Sequence, residues 1–222
     1  VWANPNPRRK QMISITYDRF GSIDVLTVTD TAFGQEIPAH SVEVAMHASS
    51  INTIDVRARE GLLSPLVNKK FPKTPGADVS GIVTRIGAKV TALKVGDSVF
   101  GATDPFKVGA FAERVIVPTK QLAKKPSTIS HEQAATLPIA GLAALYSLQE
   151  LGHIKAGQRV LIYGSSGAVG LFAIQLAKSA GAHVTTVSGT KGVAVAQSFG
   201  ADHSIDYCAG VVLPSKLDKS QC

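Results

Sequence analysis

The chain has 222 residues, 45% hydrophobic and 18% charged, with a formal net charge of +7. That balance is ordinary for a folded protein able to bury a core, and no run of about 18 residues is apolar enough to read as a membrane helix. The basic residues are spread out, in runs no longer than Arg8–Lys10 and "NKKFPK" from Asn68 to Lys73. They suit a solvated surface or an anionic small molecule better than nucleic acid, which needs a basic stripe and aromatic platforms.

From residue 10 to about 125 the chain carries short strand signals. "QMISITY" and "HSVEVAMHASSIN" alternate apolar and polar positions, and "SGIVTRIG", "GDSVFG" and "AFAERVIVP" follow with turn residues between them. Such spacing predicts a compact β-rich, barrel-like domain. The pattern changes at Ser130. "SHEQ" is a capping box, and "AATLPIAGLAALYSLQELG" after it reads as one helix ending near Gly152. "RVLIY" (159–163) reads as a short buried strand, and "AVGLFAIQLAKSAG" as a helix with Val169, Phe172 and Leu176 facing a sheet and Gly181 closing it. "HVTTVS" is a second strand, "KGVAVAQSFG" a second helix and "HSIDY" a third strand. This β-α-β-α-β run predicts a parallel sheet. The two cysteines, Cys208 and Cys222, are too few for a disulfide framework and suit a reducing compartment such as the cytoplasm. The chain starts at Val1, so a targeting sequence is left open.

The segment "VLIYGSSGAVG" places Gly164, Ser165, Ser166, Gly167, Ala168, Val169 and Gly170 between a strand and a helix. The spacing is G-x-x-G-x-x-G rather than the commoner G-x-G-x-x-G. The physics is unchanged: Gly167 lets backbone approach a pyrophosphate, Gly170 permits close packing, and the helix N-terminus offers N–H groups to phosphates. At the end of the second strand, where an NAD site carries an acid for the ribose 2′-hydroxyl, the sequence is "VSGTK". Ser188, Thr190 and Lys191 suit a 2′-phosphate there, and Tyr207 ends the third strand beside them. The expected cofactor is therefore NADPH.

These segments, with "GADVSGIVTRIGAKVTALKVGDSVFG", "GAFAERVIVP" and "SSINTIDVRAREG", resemble the medium-chain dehydrogenase/reductase superfamily. They look most like its zinc-free quinone oxidoreductase (zeta-crystallin-like) branch. The resemblance covers about residues 12–207. It implies an α/β fold: a GroES-like β-barrel domain, here 1–129, then the first half of a Rossmann domain, a doubly wound parallel sheet, over 130–207. Residues 208–222 form an atypical tail. NADPH would lie in the cleft between the two domains.

In zinc-dependent relatives a Cys and a His-Glu pair hold the catalytic metal. The matching positions here are Asn52 and Ala77-Asp78, and no cysteine precedes residue 208, so no metal is expected. Reduction of a quinone or an α,β-unsaturated carbonyl suits such a site, because conjugation already eases hydride addition. The resemblance makes Asn52 the residue beside nicotinamide and substrate, able to bond either, and Asp55 the residue that holds its loop. Where many relatives carry a nicotinamide-contacting Thr, this chain has Ala143. After Tyr207 the family pattern stops, which reads as a C-terminal truncation leaving hydride transfer incomplete; a longer form suits a homodimer. The alternative is a non-catalytic nucleotide-binding or interaction protein on the same fold.

Overall fold

The computed structural model describes residues 11–32, 36–63, 70–104 and 109–210. Most of the expected tail, from 211 onward, lies outside them, as does the run Arg8–Lys10. The chain divides into two compact units, Val1–Ile139 and Ala140–Cys222.

In the first unit, β1 (Gln11–Thr16) and β2 (Thr27–Ala32) form an antiparallel hairpin. Next come β3 (Ser41–Ala48), α1 (Thr53–Arg59), β4 (Asp78–Ile86), β5 (Ser98–Ala102), β6 (Arg114–Pro118) and β7 (Leu122–Lys124). The last five strands pair antiparallel in the order β6-β3-β4-β5-β7. Alternation explains the core. Val42, Val44 and Met46 point one way from β3 and pack with Val79, Val83, Val99, Val115 and Val117. Full burial of each such side chain contributes about 1.5–3 kcal/mol. A β-bulge between Met46 and Ala48 shifts the β3–β4 register, and the ladder closes with the Ala48–Ser80 pair before the chain reaches α1. The strand signals of the sequence fall on β1, β3, β4, β5 and β6; β2, β7 and α1 carry no signal strong enough to read.

The long helix expected after Ser130 is broken. The capping box is present: Gln133 N–H donates to Ser130 Oγ at 3.2 Å and Ser130 N–H donates to Gln133 Oε1 at 2.9 Å. It opens only α2 (His131–Ala135), however, and α3 (Pro138–Tyr146) starts afresh, followed by a π-helical turn over Ser147–Leu151. Pro138 is the cause. It cannot continue a helix, disfavours helical backbone at Leu137, and suits a first helical position. α2 packs on β3, β4 and β5, which keeps it with the first unit.

The second unit contains β8 (Arg159–Tyr163), α4 (Ala168–Ser179), β9 (His183–Ser188), α5 (Thr190–Ser198) and β10 (His203–Asp206). The strands pair parallel in the order β10-β9-β8, as the alternation of strand and helix predicts. Gly181 (φ +78°) ends α4 in the left-handed region, with Ala182 N–H returning to Ala177 O at 3.0 Å.

Two local expectations are corrected. β8 is not buried throughout: Leu161 is 61% and Tyr163 55% exposed. β8 lies at the end of the three-strand order, and its buried side is the alternate face carrying Ile162. The inner face of α4 is Gly170, Ala173, Ile174 and Ala177, whereas Val169 is 45% exposed. Small residues bring the helix axis close to the sheet, and the larger Phe172 and Leu176 only flank the core. Among the described residues no helix is long and apolar enough to cross a membrane.

Candidate functional site

Two groups of polar residues stand out, one in each unit. In the first unit Asn52 caps α1. Its N–H donates to Asp55 Oδ2 at 2.8 Å, so Asp55 holds the helix start from the inside. Burial pushes the Asp55 carboxyl up from the ordinary carboxylate range, and the Asp78 charge adds to this. Hydrogen bonds from Asn52 and Gly76 pull it back down. Asp78, the first residue of β4, is fully buried. Its Oδ2 accepts from Asn52 Nδ2 at 2.7 Å and from the Ser50 hydroxyl, and its Oδ1 accepts from Ile139 N–H at 2.9 Å. Both Asp78 oxygens are thus committed to the loop 49–52 and to the start of α3. Asn52 and Asp55 stand together at the start of α1, joined by the Asn52 N–H bond. Asp78, which joins them, draws attention in the sequence only as a position where metal-binding relatives differ. A carboxylate beside Gly and Ala at the head of an apolar strand is the signal that could have revealed it.

Among the described residues no three His, Cys, Asp or Glu side chains gather in a metal-holding arrangement. Ala143 is exposed and lines an apolar hollow on α3 with Leu142, Leu145 and Tyr146.

A second polar group flanks the first. His131 opens α2, its Nδ1 sharing a hydrogen bond of 2.8 Å with the buried Ser80 hydroxyl on β4. Its ring stacks on His47 of β3, with centroids 4.5 Å apart. Burial holds His131 below the usual imidazole range, helped by the His47 and Lys125 charges and opposed by Glu132. The folded chain therefore favours the neutral ring, and as pH falls the unfolded chain takes up the proton first. This contribution to stability is complete above the unfolded pKa of about 6.5 and is lost as pH falls below it. Melting temperature should thus decline between pH 7.5 and 5.5, and His131→Gln should flatten the decline; parallel slopes in the two proteins would refute this.

In the second unit the glycine loop lies between β8 and α4. Gly164 has φ +72°, open to glycine and strained for other residues. Gly167 is the N-cap of α4, and the amides of Ala168, Val169 and Gly170 follow in its first turn, without intrahelical acceptors. A Cβ on Gly170 would lie 2.6 Å from both Gly164 O and Ser165 Cα, so the loop closes directly over the helix. Ser165 is buried and donates to Val187 O at 3.3 Å, tying the loop to β9. Ser166 is exposed on the loop but reaches the first turn of α5: a Cβ on Gly192 would meet its side chain at 2.7 Å and Ser188 Cβ at 2.9 Å.

Ser188 ends β9 at 2% exposure, and among the described residues its hydroxyl has no hydrogen-bond partner. Thr190 and Lys191 are exposed at the first two positions of α5, after Gly189 as N-cap. Tyr207 follows β10, its ring stacked with Tyr163 at 6.4 Å between centroids. All the residues marked in this half of the sequence gather around the C-terminal ends of β8, β9 and β10. The site fits a dinucleotide on two local grounds: helix amides free to take a phosphate, and a buried polar oxygen without a partner at the strand end.

Comparison with known proteins follows the same division. Residues 38–127 match the alcohol dehydrogenase GroES-like domain family, and residues 168–219 match the zinc-binding dehydrogenase family. The mitochondrial NAD(P)H oxidoreductase RTN4IP1 of Bos taurus is 38% identical over 224 residues, covering 93% of this chain and 57% of its own length. The quinone oxidoreductase structure from Coxiella burnetii superposes with a TM-score of 0.85 at 34% identity, over 91% of this chain and 64% of that one. The Escherichia coli quinone oxidoreductase, solved in complex with NADPH, gives a TM-score of 0.77 at 30% identity, over 88% and 58%. The chain thus spans a little over half to under two thirds of the length of these relatives.

Proposed function

The chain belongs to the medium-chain dehydrogenase/reductase superfamily as a quinone oxidoreductase-like member, and we propose that it serves NADPH-dependent reduction of a quinone or an activated C=C bond without zinc. The observation that carries the cofactor choice is the end of β9. It has a buried Ser188 hydroxyl without a partner, no acid, and a lysine in the next helical turn. A carboxylate there would accept from a ribose 2′-hydroxyl and repel a phosphate. Hydroxyls and an ammonium do the reverse.

In this reading the amides of Ala168, Val169 and Gly170 hold the pyrophosphate, with Gly164 and Gly167 keeping the approach clear and Ser165 and Ser166 shaping the loop. Ser188, Thr190 and Lys191 receive the 2′-phosphate, and Tyr207 flanks it. Bound NADPH supplies the hydride. Asn52 orients the reacting groups, and Asp55 holds the turn on which Asn52 stands. The absence of a cysteine at residue 52 and of a histidine at residue 77 supports a metal-free site, in which positioning does most of the work. The activity rests on relatives that are longer than this chain.

The test is a calorimetric and fluorescence titration with NADPH and NADH, run beside Lys191→Glu. NADPH should bind at least tenfold tighter than NADH, and the substitution should remove most of that preference, as expected for loss of a charge-assisted contact worth about 1.5–3 kcal/mol. Equal affinity for the two cofactors would overturn the 2′-phosphate assignment. Tight binding without turnover of any quinone or enone would instead favour a nucleotide-binding role without catalysis.

A further inference from the structure

Two helix starts flank the dinucleotide site of the second unit, α4 after Gly167 and α5 after Gly189. The glycine loop before α4 meets the first turn of α5 at Gly192. A Cβ there would lie 2.7 Å from both Cβ and Oγ of Ser166 and 2.9 Å from Ser188 Cβ. Ordinary contact begins near 3.4 Å, so the buried Gly192 lets α5 lean on the loop with no side chain of its own between them. The loop is the firmer partner. The N–H groups of Gly164 and Ser165 donate to Val187 O at 3.0 and 3.3 Å, and the Ser165 hydroxyl donates to the same oxygen. The first turn of α5 is closed on itself, Gly192 N–H donating to Gly189 O at 2.7 Å, so it shifts as one piece.

We infer that Gly192 is a specificity-determining residue: by carrying no side chain it sets the spacing between the amides of α4 and the group of Thr190 and Lys191 at the start of α5. The inference rests on the NADPH reading. The pyrophosphate and the 2′-phosphate of one nucleoside are held a ribose apart by the ligand's covalent frame, so both sets of donors must be presented at that one spacing. A methyl group at residue 192 has to move from 2.7 Å to about 3.4 Å from Ser166, taking the first turn of α5 with it. A hydrogen bond of about 2.9 Å lengthened by that much is no longer one. NADH has no 2′-phosphate and depends on the α4 amides, so the change falls on NADPH.

The first test needs no ligand. In urea unfolding, Gly192→Ala should lower the midpoint. Combining it with Ser166→Gly should return part of that loss, measured against Ser166→Gly alone, because the obstructing Cβ is gone. Ser166→Ala keeps that Cβ and should return little. An equal loss from Gly192→Ala with and without Ser166→Gly overturns the contact. If Gly192→Ala fails to fold, the double variant should still fold, and its failure overturns the contact as well.

The second test reads selectivity. Affinities for NADPH and NADH are measured in the unaltered chain, in Gly192→Ala and in the double variant with Ser166→Gly. The preference for NADPH should fall about tenfold in Gly192→Ala, the loss expected for one hydrogen bond to a charged group, and should recover in the double variant. An equal loss for both cofactors makes Gly192 a packing residue and overturns its role in specificity. No preference for NADPH in the unaltered chain counts against the cofactor reading itself. The specificity role falls with that reading, and the unfolding measurements then decide the Gly192–Ser166 contact alone.

Discussion

Gly170→Ala is expected to weaken NADPH binding at least tenfold and to lower the stability of the second unit by about 1–3 kcal/mol, the range for overpacking a closed site. The new methyl would stand 2.6 Å from Gly164 O and from Ser165 Cα, which are backbone atoms with no rotamer to change. The loop would have to lift from α4, carrying the first-turn amides of 168–170 out of line with one another. Alanine's better helix propensity returns only about 1 kcal/mol. Gly167→Ala is the informative control. Its Cβ would meet only Gly164 O, at 3.4 Å, and its φ of −80° suits any residue. Melting temperature should barely move, whereas NADPH affinity should fall if a phosphate approaches that backbone. Unaltered affinity in Gly167→Ala would mean that no ligand comes close to Gly167. Unaltered stability in Gly170→Ala would mean that the loop yields more easily than its contacts indicate.

Local patterns made much of this legible. β8, the glycine loop, α4, β9, α5 and β10 follow one another in sequence, each with its own periodicity and its own glycine stop, so the parallel order could be read directly. On α4, hydrophobicity favours Val169, Phe172 and Leu176 as the inner face, whereas close packing selects Gly170, Ala173 and Ala177. The α2–α3 break was hidden by an apolar run that continues through Pro138, although the proline itself was the warning. Asp78 was beyond local reading. Its partners Asn52 and Ile139 lie 26 and 61 residues away, and only the fold brings them to one carboxylate. The His47–His131 stack was hidden for the same reason, since it joins β3 to the first turn of α2.

Glu43→Ala should be the most damaging single change in the first unit, costing about 3–5 kcal/mol, as for removal of one partner from a buried ion pair. Glu43 sits at 2% exposure on β3, the strand paired on both sides, by β4 and by β6. Its carboxylate accepts from Thr84 Oγ1 at 2.8 Å and from Arg85 Nη1 at 3.0 Å, both on β4, and faces Arg114 Nη1 on β6 at 3.9 Å. The asymmetry lies in the two arginines. The Arg85 side chain is 48% exposed and can return to water, whereas that of Arg114 is 6% exposed and would lose this carboxylate in a desolvated place. Arg85→Ala should therefore cost no more than about 1 kcal/mol, as for a surface pair. Glu43→Gln, which keeps an acceptor and gives up only the charge, should fall between. Urea unfolding of the three variants provides the ranking, and equal losses in Glu43→Ala and Arg85→Ala would show that Arg114 does not depend on Glu43. The consequence reaches the site, because β3 runs straight into Ser49–Asn52. Out of a total stability of about 5–15 kcal/mol, a loss of that size in this interior strand raises the fraction of molecules in which the Asn52 amide is released from Asp78.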